Sequence, residues 1–240
     1  MPVIHRFDTI DSTMTRAAEL AAGGAPNGTV VVAKEQTAGQ GRFGRTWYSA
    51  PDAGLYMTQI LRPSIDPARL PLITLALGLA TAEAIVEKTG IAVDLRWPND
   101  VLIGVRKCSG ILAQLCDGVL LAGIGINVNQ TGFPPELEST ATSLRLASGR
   151  EHDIDELLTT LLGTIHTQLE TFFTQGPDPV LQAFVQSSSY VRGRRVIVDS
   201  GPIPERGTTE GLDEHGFLLL RRDDGTRTRI LAGGVRPECS

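Results

Sequence analysis

The sequence predicts an α+β protein: a mixed β-sheet flanked by helices over residues 1–188, then a small β-barrel over residues 189–240. Three observations carry this. Short β-branched runs and two long apolar helical stretches intermingle as far as Gln186. Ser187-Ser188-Ser189 then offers a linker. From Tyr190 onward the chain turns into short strands separated by tight turns, the texture of a small barrel. A length of 240 residues suits one large domain, or a medium domain with a small appendage.

Taken in order, residues 2–8 read as a strand. Asp11-Ser12-Thr13 offers N-caps to a helix over 14–22, stopped by Gly23-Gly24. Residues 28–33 are β-branched and read as the next strand, and 55–61 as another, ended by Arg62-Pro63. Pro71 suits the first turn of a long apolar helix that runs to Lys88 and closes at Gly90. Strands follow at 93–97, 101–103, 107–116 and 119–129, with a two-residue hairpin signal at Asp117-Gly118. Asp153-Ile154-Asp155-Glu156 reads as a capping box. A helical stripe from Ile154 to Phe173 follows it, broken at Gly176-Pro177-Asp178-Pro179. A short helix over 180–186 precedes the serines. In the terminal region, strands are expected at 195–198, 209–212, 217–220 and 228–231, with turns at 200–202, 213–216 and 223–225.

Composition narrows the function classes. A net charge of −5 and a hydrophobic content of 41% describe a protein with a real core and no general basic footprint for nucleic acid. Cys108, Cys116 and Cys239 form no C-x-x-C and no even framework, as expected of reduced cytosolic thiols. The four histidines are scattered without metal-ligand spacing. No charged-then-apolar leader opens the sequence, so a cytoplasmic location is expected. Residues 70–86 are apolar, but the stretch is short and Glu83 interrupts it, so a buried helix is expected there and no membrane association.

The chemistry gathers in Gln36-Thr37-Ala38-Gly39-Gln40-Gly41-Arg42-Phe43-Gly44-Arg45-Thr46-Trp47. Its glycines let the backbone come close to a ligand, and its arginines carry forked donors suited to phosphate or carboxylate. The spacing fits G-x-G-x-x-G and nearly fits a P-loop. Both motifs need a helix immediately after, and the turn-rich residues 47–54 cannot supply one. An anion-binding loop that orders around its ligand is the expectation; a hairpin loop with solvated arginines is the plain alternative. A second stretch, Arg96-Trp97-Pro98-Asn99-Asp100 followed by Lys107-Cys108-Ser109-Gly110, places a lysine at a strand start. In the strand over 119–129, Ile124, Ile126 and Val128 share one face, and Gly123, Gly125, Asn127 and Asn129 the other. A face of glycines and amides leaves room and hydrogen bonds for a ligand.

The order of these motifs is specific. Asp11-Ser12-Thr13, Gln-x-Ala-Gly-x-Gly-Arg-x-Gly-Arg-x-Trp, Trp-Pro-Asn-Asp, Lys-x-x-Gly-Ile-Leu and Gly-Ile-Asn-Val-Asn together span residues 8–130. The combination resembles biotin protein ligases, whose catalytic domain carries a small SH3-like domain after it. The resemblance implies a two-step reaction with ATP and Mg²⁺. Biotin and ATP give biotinyl-5′-AMP and pyrophosphate, and a lysine of a biotin carboxyl carrier protein then attacks the mixed anhydride. It implies biotin contacts at Ser12, Thr13, Gln36, Gly39, Gln40, Gly41, Lys107 and Gly110. Nucleotide contacts are implied at Gln40, Arg42, Arg45, Trp47, Asn99, Lys107 and Asn127. Lys107 and Arg42 would be catalytic, and Asp100 would hold the metal.

Two positions depart from the family pattern: Gln40 stands where arginine is common, and Met14 where asparagine is common. Repressor members carry a helix-turn-helix before Asp-Ser-Thr; only ten residues precede Asp11 here, so no operator binding is expected. The resemblance leaves monomer and homodimer both open. Lipoate ligases share the fold, but their Arg-Arg-x-Ser-Gly-Gly-Gly loop is absent from the sequence, as is the octanoyltransferase His-Gly-Pro loop. A sensor that holds the adenylate without transferring it is the non-enzyme alternative.

Overall fold

Strands form where β-branched residues cluster, and glycines end four of the helices, at Gly23, Gly90, Gly149 and Gly176. The computed structural model describes residues 2–63, 66–199, 201 and 203–238. β1 (Ile4–Ile10) pairs in parallel with β2 (Val30–Gln36). A parallel pair needs a crossover, and α1 (Thr13–Ala22) supplies it. Ser12 caps α1, its Oγ accepting from the Met14 N–H at 3.2 Å. β3 (Gly54–Leu61) leads to α2 (Leu70–Thr89), closed by Gly90 in the left-handed region at φ 73°. Then come β4 (Asp94–Arg96), β5 (Asp100–Ile103), β6 (Arg106–Cys116) and β7 (Val119–Asn127). Asp117 and Gly118 turn the β6–β7 hairpin with φ of 49° and 76°, the doubly positive pair of a type I′ turn. Every pairing after β1–β2 is antiparallel, giving a mixed seven-stranded sheet of order β1-β2-β3-β7-β6-β5-β4.

The sheet has two unlike faces. On one, α1 packs Met14 and Ala17 against Val31, Ile60 and Leu121. On the other lie α2, α5 (Ile154–Gln175) and α6 (Asp178–Gln186). By length and composition α2 could cross a membrane, yet most of it is buried inside the protein, as a core helix should be. Between β7 and α5 run two short helices that the periodicity did not reveal, α3 (Pro135–Glu138) and α4 (Leu144–Ser148).

Several expectations need correction. The capping box on α5 is one-sided: Asp153 Oδ1 accepts from the N–H groups of Asp155 and Glu156, but the Glu156 side chain turns to Lys88 Nζ at 3.4 Å. Phe173 leaves the core stripe and is 46% exposed. The serine triplet is no free linker. Leu95 N–H donates to Ser187 O, Ser188 Oγ donates to Leu95 O, and Ser189 donates to Asp94, which stitches the triplet to β4.

The terminal sheet is antiparallel throughout. It comprises β8 (Arg192–Asp199), β9 (Glu205–Leu212), β10 (Leu218–Arg221), β11 (Arg227–Ile230) and β12 (Gly234–Pro237), in the order β11-β10-β9-β8-β12. β12 was not expected from sequence. The turn expected at 200–202 lies partly outside the described residues, and Cys239 wholly so. Val196, Val198, Leu218, Leu220, Ile230 and Val235 share one core with α2. Trp97 Nε1 donates to Gly216 O at 2.9 Å, a bond from the end of β4 into the terminal sheet.

Candidate active site

A cleft opens where the N-terminus of α1, the end of β2 and the middle of β6 and β7 meet beneath the loop 39–47. Its collar is made of amides and hydroxyls. Thr13 donates both its N–H (2.8 Å) and its hydroxyl (3.1 Å) to Gln36 Oε1, and Thr58 donates to Thr13 Oγ1 at 2.9 Å. Gln36 Nε2 donates to Ser49 Oγ at 2.9 Å. The Gln36 amide is therefore held at both ends, and such a group recognises a ligand without reorganising. Gln40 ties the loop to α1 through Thr15 Oγ1 at 3.1 Å. Ser12 and Gly39, expected as biotin contacts, are not among the residues that line either chamber. The Ser12 hydroxyl is spent on the helix cap, and Gly39 closes the loop neck by accepting the Trp47 N–H at 2.8 Å.

The floor depends on two missing side chains. A Cβ on Gly125 would lie 2.5 Å from Trp47 Cε2, and one on Gly110 would lie 2.9 Å from both Lys107 Nζ and the Trp47 ring. Only glycine at these two positions lets the indole and the lysine lie on the sheet. The Lys107 ammonium stands 5.2 Å from the Trp47 ring centroid, in cation–π range. The Lys107 backbone is clamped by the segment 140–142: its N–H donates to Thr140 O (2.8 Å) and its carbonyl accepts from Thr142 N–H (2.9 Å). Its neighbour Cys108 is buried, which pushes the thiol up to about 12 and leaves it inert.

Trp47 divides the site in two. On one side lies the amide-collared cleft, about 50 Å³ in this state. On the other lies a hollow of about 300 Å³, lined by Arg45, Arg96, Asp100, Asn127 and Phe133 among others. Lys107 lines both. Ligand pockets begin at roughly 300 Å³, so the first chamber is below that size and the second is at it. Around the two chambers stand four cations, Arg42, Arg45, Arg96 and Lys107, against one carboxylate, Asp100. In a chain of net charge −5 this local excess selects anions.

Arg42 closes the mouth. Its Nη1 donates to Asn99 Oδ1 at 3.0 Å and to Gly233 O, in the terminal sheet region, at 3.5 Å. Burial pulls its guanidinium below the ordinary value, with Asp100 opposing and Arg45 adding to the shift. Asn99 is fixed in turn, since its Nδ2 donates to Ile111 O at 2.9 Å. Gly41 N–H donates to Arg45 O at 2.7 Å and holds the loop's tight turn. Asn127, on the second chamber's wall, donates to Thr142 O at 3.1 Å.

Asp100 is placed differently from the expectation. One oxygen takes Lys107 Nζ at 2.6 Å, and the other takes Arg96 Nη2 at 2.7 Å. Burial raises its carboxyl, but Lys107 and Arg96 outweigh that and hold it below the usual aspartate value. Among the described residues no group of three or more His, Cys, Asp or Glu is placed to hold a metal ion. With both oxygens occupied by cations, Asp100 has the geometry of a counter-ion that aims Lys107. Among the described residues the two chambers offer one carboxylate, Asp100, too few for a Mg²⁺ held by protein side chains alone. Sequence reasoning missed the Arg96–Asp100–Lys107 triad, the clamp at 140–142 and the Gly233 contact. The i,i+4 spacing of Arg96 and Asp100 was the one local hint.

The chain resembles known proteins along most of its length. The sequence profile of the Biotin/lipoate A/B protein ligase family matches residues 6–130, and that of the Biotin protein ligase C terminal domain matches residues 192–235. The chain is 37% identical over 229 residues to the Bifunctional ligase/repressor BirA of Bacillus subtilis, covering 92% of this chain and 70% of that protein. It is 31% identical over 239 residues to the Biotin--[acetyl-CoA-carboxylase] ligase of Mycobacterium tuberculosis, covering 96% and 88%. The solved structure of a biotin protein ligase from Aquifex aeolicus in complex with biotin and ATP superposes with a TM-score of 0.89, at 34% identity and full coverage of both chains.

Proposed function

The chain belongs to the biotin/lipoate A/B protein ligase family and is a ligase, and we propose that it joins biotin to a carrier protein through biotinyl-5′-AMP. One observation carries the reading. A single ammonium, Lys107, borders both chambers and is aimed by Asp100 at 2.6 Å. A reaction between two anions needs a fixed cation at their junction.

Biotin enters the amide-collared chamber, with Gln36 and Thr13 at its ring and its tail crossing Trp47. ATP takes the larger chamber between Arg45, Asn127 and Phe133. The biotin carboxylate attacks the α-phosphorus, the bond to the β-phosphate oxygen breaks, and pyrophosphate leaves. Lys107 stabilises the charge that builds on the α-phosphate, an interaction worth most in the transition state. The adenylate then stays beneath the loop, latched by Arg42, until a carrier lysine arrives. The unprotonated amine attacks the acyl carbon, AMP leaves, and an amide forms. No covalent enzyme intermediate is needed, since positioning and charge supply the catalysis. The carrier is the biotin carboxyl carrier domain of a biotin-dependent carboxylase.

Pyrophosphate release with ATP and either biotin or lipoate tests the first step, and ATP-dependent labelling of an acceptor domain tests the second. Biotin-dependent release with transfer is expected. A preference for lipoate would overturn the substrate, and release without transfer would make the protein a sensor.

A further inference from the structure

The biotin-side chamber has apolar lining in Met14, Met57 and Leu112, and one contact there is unusually close. Met14, the second residue of α1, is 5% exposed and lies across β7 at Gly123. A Cβ on Gly123 would stand 2.6 Å from Met14 Sδ and 3.3 Å from its Cγ. Gly123 pairs with Thr58 on β3 and Leu112 on β6. Thr58 in turn bonds Thr13, whose partner Gln36 forms the polar collar. The Met14–Gly123 contact thus sits one strand position from the collar, and Met14, Gly123 and Leu112 all line the chamber.

We propose that Met14, seated on Gly123, is a specificity-determining residue: its thioether forms the stop that sets how large a ring the acid substrate carries into the chamber. This rests on the reading of the site as the acid-binding chamber of a ligase. A methionine side chain is unbranched and adapts its shape to what it covers. It leaves its position on the sheet only if something takes the room that Gly123 leaves empty. Gly123 does not adopt a left-handed backbone, so alanine is compatible with the chain there. The other close atom, the Leu112 carbonyl oxygen, lies at a milder 3.2 Å. An added methyl therefore acts mainly through Met14, pushing the thioether into the chamber. The substrate class that follows is a carboxylic acid with a compact ring, its flat side covered by sulfur and its polar edge turned to Gln36 and Thr13.

The test is a double-mutant cycle on the full chain, read by pyrophosphate release with biotin and ATP, with KM measured for each. Gly123→Ala should raise the KM for biotin about ten-fold or more, as expected of a misplaced methyl in a substrate pocket, and leave the KM for ATP within about two-fold. Met14→Ala in the Gly123→Ala background should recover most of that loss, because the space is returned. Met14→Ala alone should narrow the preference for biotin over its bulkier sulfone by about ten-fold, while Met14→Leu keeps it. Should Gly123→Ala fail to fold, the two Met14 variants decide alone. An unchanged biotin KM in Gly123→Ala, no recovery in the double variant, or an unaltered sulfone preference in Met14→Ala overturns the proposal. Use of lipoate in place of biotin by the unmutated protein would overturn the ligase substrate instead, and the cycle is then run with lipoate.

Discussion

The two faces of β7 are made from alternate residues of one strand, and they do opposite things. Ile124 and Ile126 point into the core shared with α2 and α5 and are both buried. Gly123 and Gly125 point to the cleft, and their lack of side chains is what they contribute: room for Met14 and for Trp47. A core face works by filling space to close packing, so its changes register in stability. The cleft face works by leaving space for another element, so its changes should register in function. Substitutions on the two faces should therefore differ in the size and the kind of their effects.

Lys107→Met should have the largest effect. The ammonium joins the two chambers, and removing such a contact typically costs about 100- to 1000-fold in rate, or about 3–4 kcal/mol in the transition state. Single-turnover pyrophosphate release measures it, with the circular dichroism spectrum unchanged. Near-normal release would show that Lys107 has no part in the chemistry.

The contrast itself is tested by neighbours. Ile126→Ala removes a fully buried side chain and should cost about 3 kcal/mol in urea unfolding, while the folded protein keeps its KM for biotin. Gly125→Ala places a methyl against the indole and should lose roughly 100-fold in biotin-dependent release with little change in the urea midpoint. If both variants lose stability alike, the two faces are one packing unit and the division fails.

Arg42→Gly probes the mouth. It removes the bonds to Asn99 and Gly233 and adds one more glycine to the loop. Adenylate should still form, because Lys107 remains. Its dissociation should quicken by roughly ten-fold or more, the loss expected for a charge-assisted hydrogen bond. Bystander proteins such as albumin should then be biotinylated. Release at the unmutated rate, with labelling confined to the carrier, would show that Arg42 is no latch.

Asp100 gives the smallest and most conditional effect. Lys107 and Arg96 hold its carboxyl below the ordinary 3.8, against the upward push of burial. A depressed folded value means the charged form stabilises the fold above the unfolded value, and that contribution is lost as pH falls through the folded value. The stability difference between the unmutated protein and Asp100→Asn should therefore stay flat from about pH 8 to about pH 5 and shrink only below about pH 4. A difference that fades near neutral pH would mean the triad is not ionised as drawn. Activity of Asp100→Asn should drop at every pH, since Lys107 loses its guide.

Much was legible locally. The Asp117-Gly118 turn, the Gly90 stop on α2, the cap at Ser12 and the glycine face of β7 each depend on residues within a turn or a strand of one another. Their physics is short-range backbone geometry and side-chain period, so the sequence determined them, and motif order determined the family. Contacts whose partners lie far apart in sequence were decided only by tertiary structure. That Asp100 meets Lys107 at one oxygen and Arg96 at the other was decided only when β4, β5 and β6 paired. The serine triplet looked like a linker because its partners, Asp94 and Leu95, come more than ninety residues earlier. Met14 stood only as a departure from the family pattern until α1 lay across Gly123. Periodicity specifies which face a side chain takes; sheet register and helix docking specify what it meets there, and those are fixed by the burial of the whole core rather than by any single stretch.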